Sequence, residues 1–375
     1  MRTKDQLIEE CEKRGVQHKH PIYSMQKKDL ELILAEEASL PQISVMKAYD
    51  FKDLPIDKQE EILDDPNWVA EEKINGVHCK SHLLQDGLHL DGRKKSDVTF
   101  TYIERTDSFP HLHKVSIAEI PYGTVIDCEI FNPNESINTG SVITEGTLTS
   151  TTSIWSSEPE RAVEIQKSQG PCYLYVFDII RVGGLKADSI FRQRRDLLES
   201  FFDRFSNVFK EHHIHLIKQY TDKRKAFKEI TERGGEGVML KNLNGYYEEG
   251  KDSRYQYKWK KIYTVDGWIS DYVKGKKESA FANLVGSLVI SAYDKKTKKE
   301  VIIGCVQPGD MAQRIAMTNK NGELKTEYYG RVVEMSFYSL TKNKRGQHAT
   351  LERWRPDKGQ KDCWIDFSKF KVMEE

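Results

Sequence analysis

Ionised side chains stand inside stretches of this sequence that otherwise have the composition of buried β-strands. Lys73 follows "WVAEE", Glu129 lies within "VIDCEIF", and Glu236 precedes "GVMLK". Lys258 and Lys260, in "YKWKK", share one face of a strand because side chains alternate with a period of two. Buried strands avoid charges unless the charges are paired or functional. The sequence therefore predicts neighbouring strands that line a polar cleft.

The local pattern around Lys73 also allows a simpler structure. Asn75-Gly76 stands between segments of alternating apolar and polar residues, which is a strong signal for a β-hairpin. In that interpretation Trp68–Lys73 and Val77–Leu84 are paired strands, and Lys73 is an ordinary residue beside the turn. The other charged strands instead favour a functional lysine that the Asn-Gly turn exposes at a strand end.

The chemistry that suits such a cleft is nucleotidyl transfer. A lysine attacks a phosphate only when it is neutral, and neighbouring ammonium groups such as Lys258 and Lys260 would lower its pKa and also hold phosphates. Glu129 and Glu236 could bind Mg²⁺ and neutralise developing phosphate charge. An aromatic strand residue, such as Phe177 in "VFDII", could stack on the base.

Six motifs in order resemble those of a known superfamily. The stretches are "EEKINGVH", "VIDCEIF", "VFDII", "EGVMLK", "YKWKK" and the late "ERWRPDK". The first five resemble the motifs of the covalent nucleotidyltransferases, which include ATP-dependent DNA ligases, RNA ligases and mRNA capping enzymes. The last, together with "TVDGWISDYVKGK" and "NLVGSLVISAYD", resembles the OB-fold domain of ATP-dependent DNA ligases. The resemblance covers residues 68–358, and each motif is weak by itself.

The resemblance implies an α+β fold. It comprises a nucleotidyltransferase (adenylation) domain with antiparallel sheets, a C-terminal OB-fold β-barrel and a small N-terminal helical unit. We place these at residues 46–262, 263–375 and 1–45. The helices "KDQLIEECEKRG" and "QKKDLELILAEE" of the last segment loosely resemble a SAP-type DNA-binding module. A helical brace on the main domain is an equal alternative.

For the nucleotide, the resemblance implies five roles. Lys73 would form the lysyl–AMP phosphoramidate, and Glu71 would contact the adenine amino group. Phe177 would stack on adenine. Arg93, in "DGRKKS", would lie near the AMP or the 5′-phosphate of the nick, and Glu129 would bind the ribose or organise metal.

For the phosphates and the metal, the resemblance implies five further roles. Glu236 would organise the metal, and Lys258 and Lys260 would hold the α-phosphate. Arg355 and Lys358, in the closing R-x-D-K motif, would close over ATP and orient the leaving pyrophosphate.

Two residues depart from the family's pattern. The first motif of DNA ligases usually reads K-x-D-G-x-R, whereas this chain has "KINGVH", with Asn75 and His78 in place of Asp and Arg. Some RNA ligases also lack that Asp, so an RNA ligase stays open as an alternative. A non-catalytic nucleic-acid-binding protein of the same fold is the alternative from another class. An NAD-dependent ligase is disfavoured, because no nicotinamide-binding segment and no four-cysteine cluster are found.

Charge is divided unevenly along a chain whose net charge is zero. Residues 218–375 contain 32 Lys and Arg against 22 Asp and Glu, and residues 1–217 contain 26 against 36. This asymmetry favours a basic surface in the later part of the chain.

The cysteines are scattered without a C-x-x-C pair, which argues against a structural zinc site and a disulfide framework and favours buried free thiols. They are Cys11, Cys79, Cys128, Cys172, Cys305 and Cys363.

Together these patterns predict an ATP-dependent DNA ligase. It would use ATP and Mg²⁺, act as a monomer on nicked duplex DNA, and serve in DNA repair, replication or recombination. No apolar run approaches the ~20 residues that a membrane span needs, so a cytoplasmic protein without membrane contact is expected. The compact architecture is similar to bacteriophage or viral ligases, for which the location would be the host cell cytoplasm.

Overall fold

The computed structural model describes residues 3–13, 26, 27, 30, 40–96, 100–115, 117, 119–133, 148–341 and 343–370, without the side chains of residues 10–13, 148 and 149. The chain divides into two compact units, Met1–Trp259 and Lys260–Glu375. Among the described residues, no helix has the length and apolar character needed to cross a membrane.

The described elements alternate between strands and short helices. The α-helices are α1 (Lys4–Lys13), α2 (Ile56–Asp64), α3 (Pro110–His113), α4 (Leu148–Ser156), α5 (Pro159–Gln169), α6 (Phe191–Arg204), α7 (Ser206–Glu211), α8 (Lys223–Glu232) and α9 (Met311–Met317). The strands of the first unit are β1 (Lys47–Asp50), β2 (Trp68–Glu72), β3 (Val77–Leu84), β4 (Gly87–Lys95), β5 (Tyr102–Glu104), β6 (Thr124–Phe131), β7 (Tyr173–Val182), β8 (Leu185–Lys186), β9 (Ile214–Leu216), β10 (Gln219–Tyr220), β11 (Gly237–Asn242) and β12 (Asp252–Lys260), whose last residue begins the second unit. The remaining strands are β13 (Tyr263–Lys274), β14 (Val285–Asp294), β15 (Glu300–Val306), β16 (Val332–Phe337), β17 (Ser339–Leu340), β18 (Gly346–Gln347), β19 (Thr350–Trp354) and β20 (Trp364–Ile365).

The first sheet has the strand order β1-β12-β11-β2-β10. Trp68 of β2 and Leu240 of β11 pack in one cluster with Ile230 of α8. The rings of Phe227 and Trp259 stack with their centroids 3.9 Å apart. Because α8 presents its apolar residues at helical spacing, it covers β2 and β11.

The second sheet has the order β5-β4-β3-β6-β7-β8, with β9 parallel to β7. It contributes to an apolar core, in which Ile130 of β6 and Leu174 and Val176 of β7 are fully buried beside Leu198 of α6. The strands predicted from "GTVIDCEIF" and "CYLYVFDII" are therefore confirmed as β6 and β7. The helix predicted from "SIFRQRRDLLESFFDRF" is confirmed as α6.

The hairpin predicted around Asn75-Gly76 is wrong. Both strands exist, as β2 and β3, but β2 pairs with β10 and β11 in the first sheet. Strand β3 pairs with β4 and β6 in the second sheet. The segment between them therefore carries the chain from one sheet to the other, and Lys73 lies at this crossing.

The second unit contains a third sheet with the order β15-β14-β13-β16-β19, and β20 pairs with β14. The strands predicted from "LVGSLVISAYD", "EVIIGCVQ" and "RVVEMSFYSL" are confirmed as β14, β15 and β16. Fully buried side chains, among them Ile290, Val333 and Met335, form its core. Among the described residues, the two edge strands of this sheet, β15 and β19, do not pair with each other. The predicted sheet is therefore confirmed, but its described strands do not close into a barrel.

The segment predicted as an N-terminal unit is described only in part. Helix α1 is present, and Leu7 and Leu30 are buried. Most of the predicted second helix and the linker lie outside the described residues, so both interpretations of residues 1–45 stay predictions.

Of the described cysteines, which are free thiols, Cys305 is exposed and the others are buried.

A buried ion pair attaches α6 to β7 and gives a test of this packing. Arg194 donates to both carboxylate oxygens of Asp178, at 2.7 and 3.0 Å, and both side chains are about 2% exposed. Arg194→Met should lower the free energy of unfolding by about 3–5 kcal/mol, because Asp178 would remain buried without its partner. Denaturant unfolding of the first unit measures the loss.

The control is the same substitution at an exposed arginine. Arg161 forms an ion pair with Glu164, with both side chains 67% exposed. Arg161→Met should cost no more than about 1 kcal/mol. Equal losses in the two variants would contradict the structural role of Arg194.

Candidate active site

Lys73 directly follows β2, and its backbone is hydrogen-bonded to Gly237, the first residue of β11. Its backbone N–H donates to the carbonyl of Gly237 at 3.0 Å. Its Nζ donates to Oε2 of Glu236 at 2.7 Å, and the two side chains are only 20% and 18% exposed. The antiparallel pairing of β2 with β11, which sets Glu72 opposite Val238, brings the end of one strand to the start of the other. The structure thus joins two residues that are 163 positions apart.

Glu129 approaches the same site from β6 of the second sheet. Its Oε1 accepts a hydrogen bond from the backbone N–H of Gly76 at 3.2 Å. A Cβ added at Gly76 would lie 2.2 Å from the carbonyl oxygen of Ile130. Gly76 is therefore required because the chain after Lys73 passes against the backbone of β6, and this contact aligns Glu129 with the lysine.

The carboxylates determine the charge of Lys73. Burial lowers the pKa of the Lys73 ammonium, but Glu236 and Glu129 outweigh this effect and raise the pKa above its usual value, while Arg93 opposes them. The expectation that neighbouring ammonium groups lower the pKa of Lys73 is therefore wrong for this structure. Burial raises the pKa of Glu129, against the influence of Lys73 and His78.

Glu71 and Phe177 are brought together by Lys241. Lys241 Nζ pairs with Oε2 of Glu71 at 2.8 Å and donates to the carbonyl of Phe177 at 3.0 Å. The same ammonium lies 4.6 Å from the centre of the Phe177 ring. Glu71 is 1% exposed and also accepts a bond from Gln219 at 2.9 Å, with Arg195 3.5 Å away. Sequence reasoning assigned Lys241 no role, although its position in an apolar strand already marked it as unusual.

His78, which replaces the family's arginine, is bound to a second carboxylate. His78 Nε2 lies 2.5 Å from Oδ1 of Asp127, and Tyr247 donates its hydroxyl to Oδ2 of Asp127 at 2.6 Å. The His78 ring meets Phe177 edge to face, with centroids 5.5 Å apart. Asp127 and Tyr247 were missed from the sequence, since Tyr247 lies 120 residues away from its partner.

The remaining predicted cations are held elsewhere. Lys258 Nζ lies 3.6 Å from Asp50, across the pairing of β12 with β1. Lys260 belongs to the second unit, where its Nζ lies 4.7 Å from the centre of the Tyr338 ring. Arg93 is an exposed residue of β4, close enough to affect the pKa of Lys73. Of the predicted residues, Glu236 is thus hydrogen-bonded to Lys73, while Glu129 and Arg93 affect its pKa electrostatically.

Arg355 and Lys358 converge on one carboxylate of the second unit. Arg355 donates to Oδ1 of Asp266 at 2.9 Å, and Lys358 donates to Oδ2 at 2.5 Å. Arg355 also forms two bonds with Asp357, at 3.0 and 2.8 Å. These bonds lower the pKa of Asp357 to about 2. The R-x-D-K motif and Asp266, which follows "YTV" in β13, therefore form one ion cluster.

Known proteins with this arrangement of sheets include ligases. The fold is similar to that of a Lig E DNA ligase described as binding DNA with a minimal scaffold, at 18% identity and a TM-score of 0.52 over 84% of this chain and 100% of that one. It is also similar to a structure named Pmar-Lig_Pre, at 16% identity and a TM-score of 0.61 over 89% and 72% of the two chains. These similarities confirm the fold class, an α+β chain with largely antiparallel sheets as in these ligase structures.

The sequence comparisons identify the family. Residues 46–262 match the model of the ATP dependent DNA ligase domain, so the chain belongs to this family. DNA ligase 1 of Methanosarcina mazei is 27% identical over 62% of this chain and 40% of its own length. The DNA ligase of Methanocella arvoryzae is 30% identical over 46% and 31%. The matched region thus spans less than half of the length of these curated relatives.

The charge of Lys73 gives a direct test of the site. In Glu236→Gln, only Glu129 would oppose the effect of burial, so the pKa of Lys73 should fall. The neutral, reactive amine would then be populated at lower pH. Competitive acetylation across a pH series, read by peptide mass spectrometry, measures the midpoint. Lys58, which pairs with Glu61 on the exposed face of α2, is the internal control and should keep its midpoint. An unchanged midpoint for Lys73 would contradict the pairing.

Proposed function

We propose that the protein is an ATP-dependent DNA ligase that seals 3′-hydroxyl/5′-phosphate nicks in duplex DNA. First, Lys73 Nζ bonds to the α-phosphorus of ATP, and the bond to pyrophosphate breaks. Next, an oxygen of the nick's 5′-phosphate takes the AMP, and the bond to Lys73 breaks. Finally, the 3′-hydroxyl attacks that phosphate, a phosphodiester forms and AMP leaves.

The observation that carries this proposal is the position of Lys73 in a chain of this family. A half-buried lysine at a strand end, with a carboxylate 2.7 Å from its Nζ, has both features that a covalent nucleophile needs. It can be reached from solvent, and a proton acceptor lies within hydrogen-bond distance. Because the carboxylates keep Lys73 protonated, the first step requires that the proton moves before the α-phosphate is attacked. Glu236 is the acceptor that the geometry offers.

Glu129 and Glu236 fit a divalent cation. Mg²⁺ prefers carboxylate oxygens, and both residues already act on one ammonium group, as their effect on the pKa of Lys73 shows. Burial raises the pKa of Glu129, so a cation would stabilise its ionised form. When bound, Mg²⁺ would neutralise charge that develops on the phosphates. We infer that these two glutamates hold it.

We infer that the adenosine is bound between the two sheets of the first unit. Phe177 would stack on adenine, and its ring also lies 4.6 Å from the Lys241 ammonium that pairs with Glu71. Glu71 would accept a bond from the adenine amino group, because a carboxylate has about four lone-pair sites. Arg93 would contact the AMP or the 5′-phosphate of the nick.

The cations outside this cluster would act on phosphates. Lys258 and Lys260 would hold the α-phosphate, and Arg355 and Lys358 would orient pyrophosphate as it leaves. In the structure Asp50 pairs with Lys258, and Asp266 pairs with Arg355 and Lys358. The phosphates would therefore replace these carboxylates. Such positioned charges supply most of the catalysis in phosphoryl transfer.

For the whole protein we propose the organisation predicted from the sequence. Residues 46–262 form the adenylation domain, residues 263–375 the OB-fold domain, and residues 1–45 a helical unit that contributes to DNA binding. The protein would act as a monomer in the cytoplasm.

Labelled nucleotides test the reaction class. The protein is incubated with Mg²⁺ and ATP, GTP or NAD labelled in the nucleotide, and the label that stays on the denatured protein is measured. ATP alone should label it. The adenylated protein is then offered nicked DNA or nicked RNA, and DNA should be sealed faster. Labelling by GTP or NAD, or preference for RNA, would contradict the proposal.

Lys73→Ala should abolish both the adenylate adduct and the sealing of 5′-phosphorylated nicks. It should retain part of the sealing of a pre-adenylated nick, because the last step needs no lysine nucleophile. Gel assays of the adduct and of both nicks measure the three activities. Lys58→Ala, at an exposed site of α2, should leave all three unchanged. A covalent adduct in Lys73→Ala would refute the assignment.

Arg355→Ala should slow adenylation of the protein by roughly 10³-fold, the effect expected from loss of a cation that stabilises a transferring phosphate. It should spare the sealing of pre-adenylated nicks, in which no pyrophosphate leaves. Arg353→Ala is the matched control, since Arg353 lies two residues earlier and pairs with Glu334 in β16. Equal losses in both assays would show that the substitution misfolds the third sheet or that the motif is misassigned.

A further inference from the structure

Two histidines and two carboxylates form a separate cluster on the second sheet. Asp86 lies in the turn between β3 and β4, His89 in β4, His113 at the end of α3 and Glu104 in β5. One potential ligand atom from each of Asp86, His89 and His113 lies within 4.8 Å of the other two. His89 Nε2 is 3.0 Å from Asp86, and the two imidazole centroids are 4.7 Å apart. Nothing in the proposed ligation reaction uses these residues.

Gly87 makes this approach possible. It has φ +139°, a conformation that disfavours other residues, and a Cβ there would lie 1.9 Å from the carbonyl oxygen of His113. Because only glycine fits, the β3–β4 turn can rest against the end of α3. This contact places Asp86 and His89 beside His113, although the latter lies 24 or more residues further along the chain.

The outer partners orient each imidazole in the way a metal ligand requires. His89 Nδ1 lies 2.9 Å from Oε1 of Glu104, which also accepts a bond from the Thr106 hydroxyl at 2.7 Å. His113 Nδ1 lies 3.4 Å from the carbonyl oxygen of Leu88. Metal-binding histidines usually donate one ring N–H to a carboxylate or a backbone carbonyl, which directs the other nitrogen to the metal. Both histidines have this arrangement, which leaves Nε2 as the ligand atom of each. His89 Nε2 lies 3.0 Å from Oδ1 of Asp86, so a bound ion would replace that contact.

We propose that Asp86, His89 and His113 bind a divalent transition-metal ion of the Zn²⁺ class, with Glu104 as the residue that positions His89. Two imidazole nitrogens and one carboxylate oxygen form a common ligand set for zinc, and water can complete the tetrahedron. Ligands of a tetrahedral zinc lie ~3.4 Å apart, and the three candidate atoms lie within 4.8 Å of one another, so a small adjustment of these side chains would close the site. The scattered cysteines argue against a zinc site built from thiolates, but not against one built from histidines and a carboxylate.

The donor set also defines which ions the site rejects. Mg²⁺ and Ca²⁺ prefer oxygen ligands and bind imidazole poorly, whereas affinity for nitrogen ligands rises along the first-row metals towards copper and zinc. The proposed site is therefore distinct in chemistry from the carboxylate pair beside Lys73. When bound, the metal would join the β3–β4 turn to α3 and stabilise this corner of the second sheet.

Calorimetric titration with Zn²⁺ tests the proposal. The full chain is used without a purification tag, in excess Mg²⁺ to occupy the carboxylates beside Lys73, and with Cys305→Ser because Cys305 is the exposed thiol among the described cysteines. One equivalent of Zn²⁺ should bind and raise the melting temperature. Co²⁺ at the same site should give the visible absorption of a low-coordinate ion.

Variants separate the site from other zinc ligands. Asp86→Asn keeps the turn chemistry at a position that is 67% exposed, and His113→Ala removes an imidazole; each should weaken binding at least tenfold. Glu104→Gln should weaken binding by about 10–100-fold while leaving the stoichiometry unchanged, as expected for a positioning residue. His348→Ala, an exposed histidine of the second unit, should have no effect.

The outcomes are decisive in both directions. Loss of affinity in Asp86→Asn and His113→Ala, with native melting of the metal-free variants, supports the site. If His113→Ala does not fold, Asp86→Asn alone decides. Unchanged affinity in Asp86→Asn, or equal loss in His348→Ala, would overturn the proposal and leave the cluster as an ion-paired histidine.

Discussion

Lys241, a buried lysine of β11, ties the two sheets of the first unit together. It is 4% exposed, pairs with Glu71 of the neighbouring strand, and donates to the carbonyl of Phe177 in the second sheet. A charge removed from water costs several kcal/mol unless its partners are well placed, so this ammonium is stable only while β2, β11 and β7 keep their present positions. The same requirement fixes the end of β2, from which Lys73 projects.

The crossing between the sheets explains what the sequence could and could not predict. Charged residues inside or beside apolar strands were visible in the sequence, and the strand that carries Glu129 and the strand that follows Glu236 were predicted correctly. The pairing of β2 with β3 was not, because the Asn-Gly signal is local. Gly76 does not adopt the positive φ of a hairpin turn; it is needed where the chain crosses β6. Glycine is required at this position because the backbone of Ile130, 54 residues away, lies against it. A short-range sequence pattern cannot reveal that contact.

The pairing of charged side chains was likewise not predictable from the sequence. The sequence placed several cations on neighbouring strands, and mutual repulsion was the natural expectation. In the structure each of these cations has a carboxylate or a ring beside it: Lys73 has Glu236, Lys258 has Asp50, and Lys260 has Tyr338. Strand periodicity tells which residues share a face, but only the register between distant strands tells which of them meet. The raised pKa of Lys73 follows from that register.

The paired cations show how the proposed pyrophosphate site would be ordered before it binds, in a chain with no net charge. Asp266 holds Arg355 with one oxygen and Lys358 with the other, at 2.9 and 2.5 Å, much as two oxygens of a phosphate would. Without such a partner, two clustered cations would repel each other and the ordered motif would be costly to maintain. Asp266 keeps the motif in place, and in the proposed reaction a phosphate would displace it, replacing one anion by another of higher charge. The net gain in free energy on binding would then be the difference between the two ion pairs, which would favour the more highly charged phosphate groups over a single carboxylate.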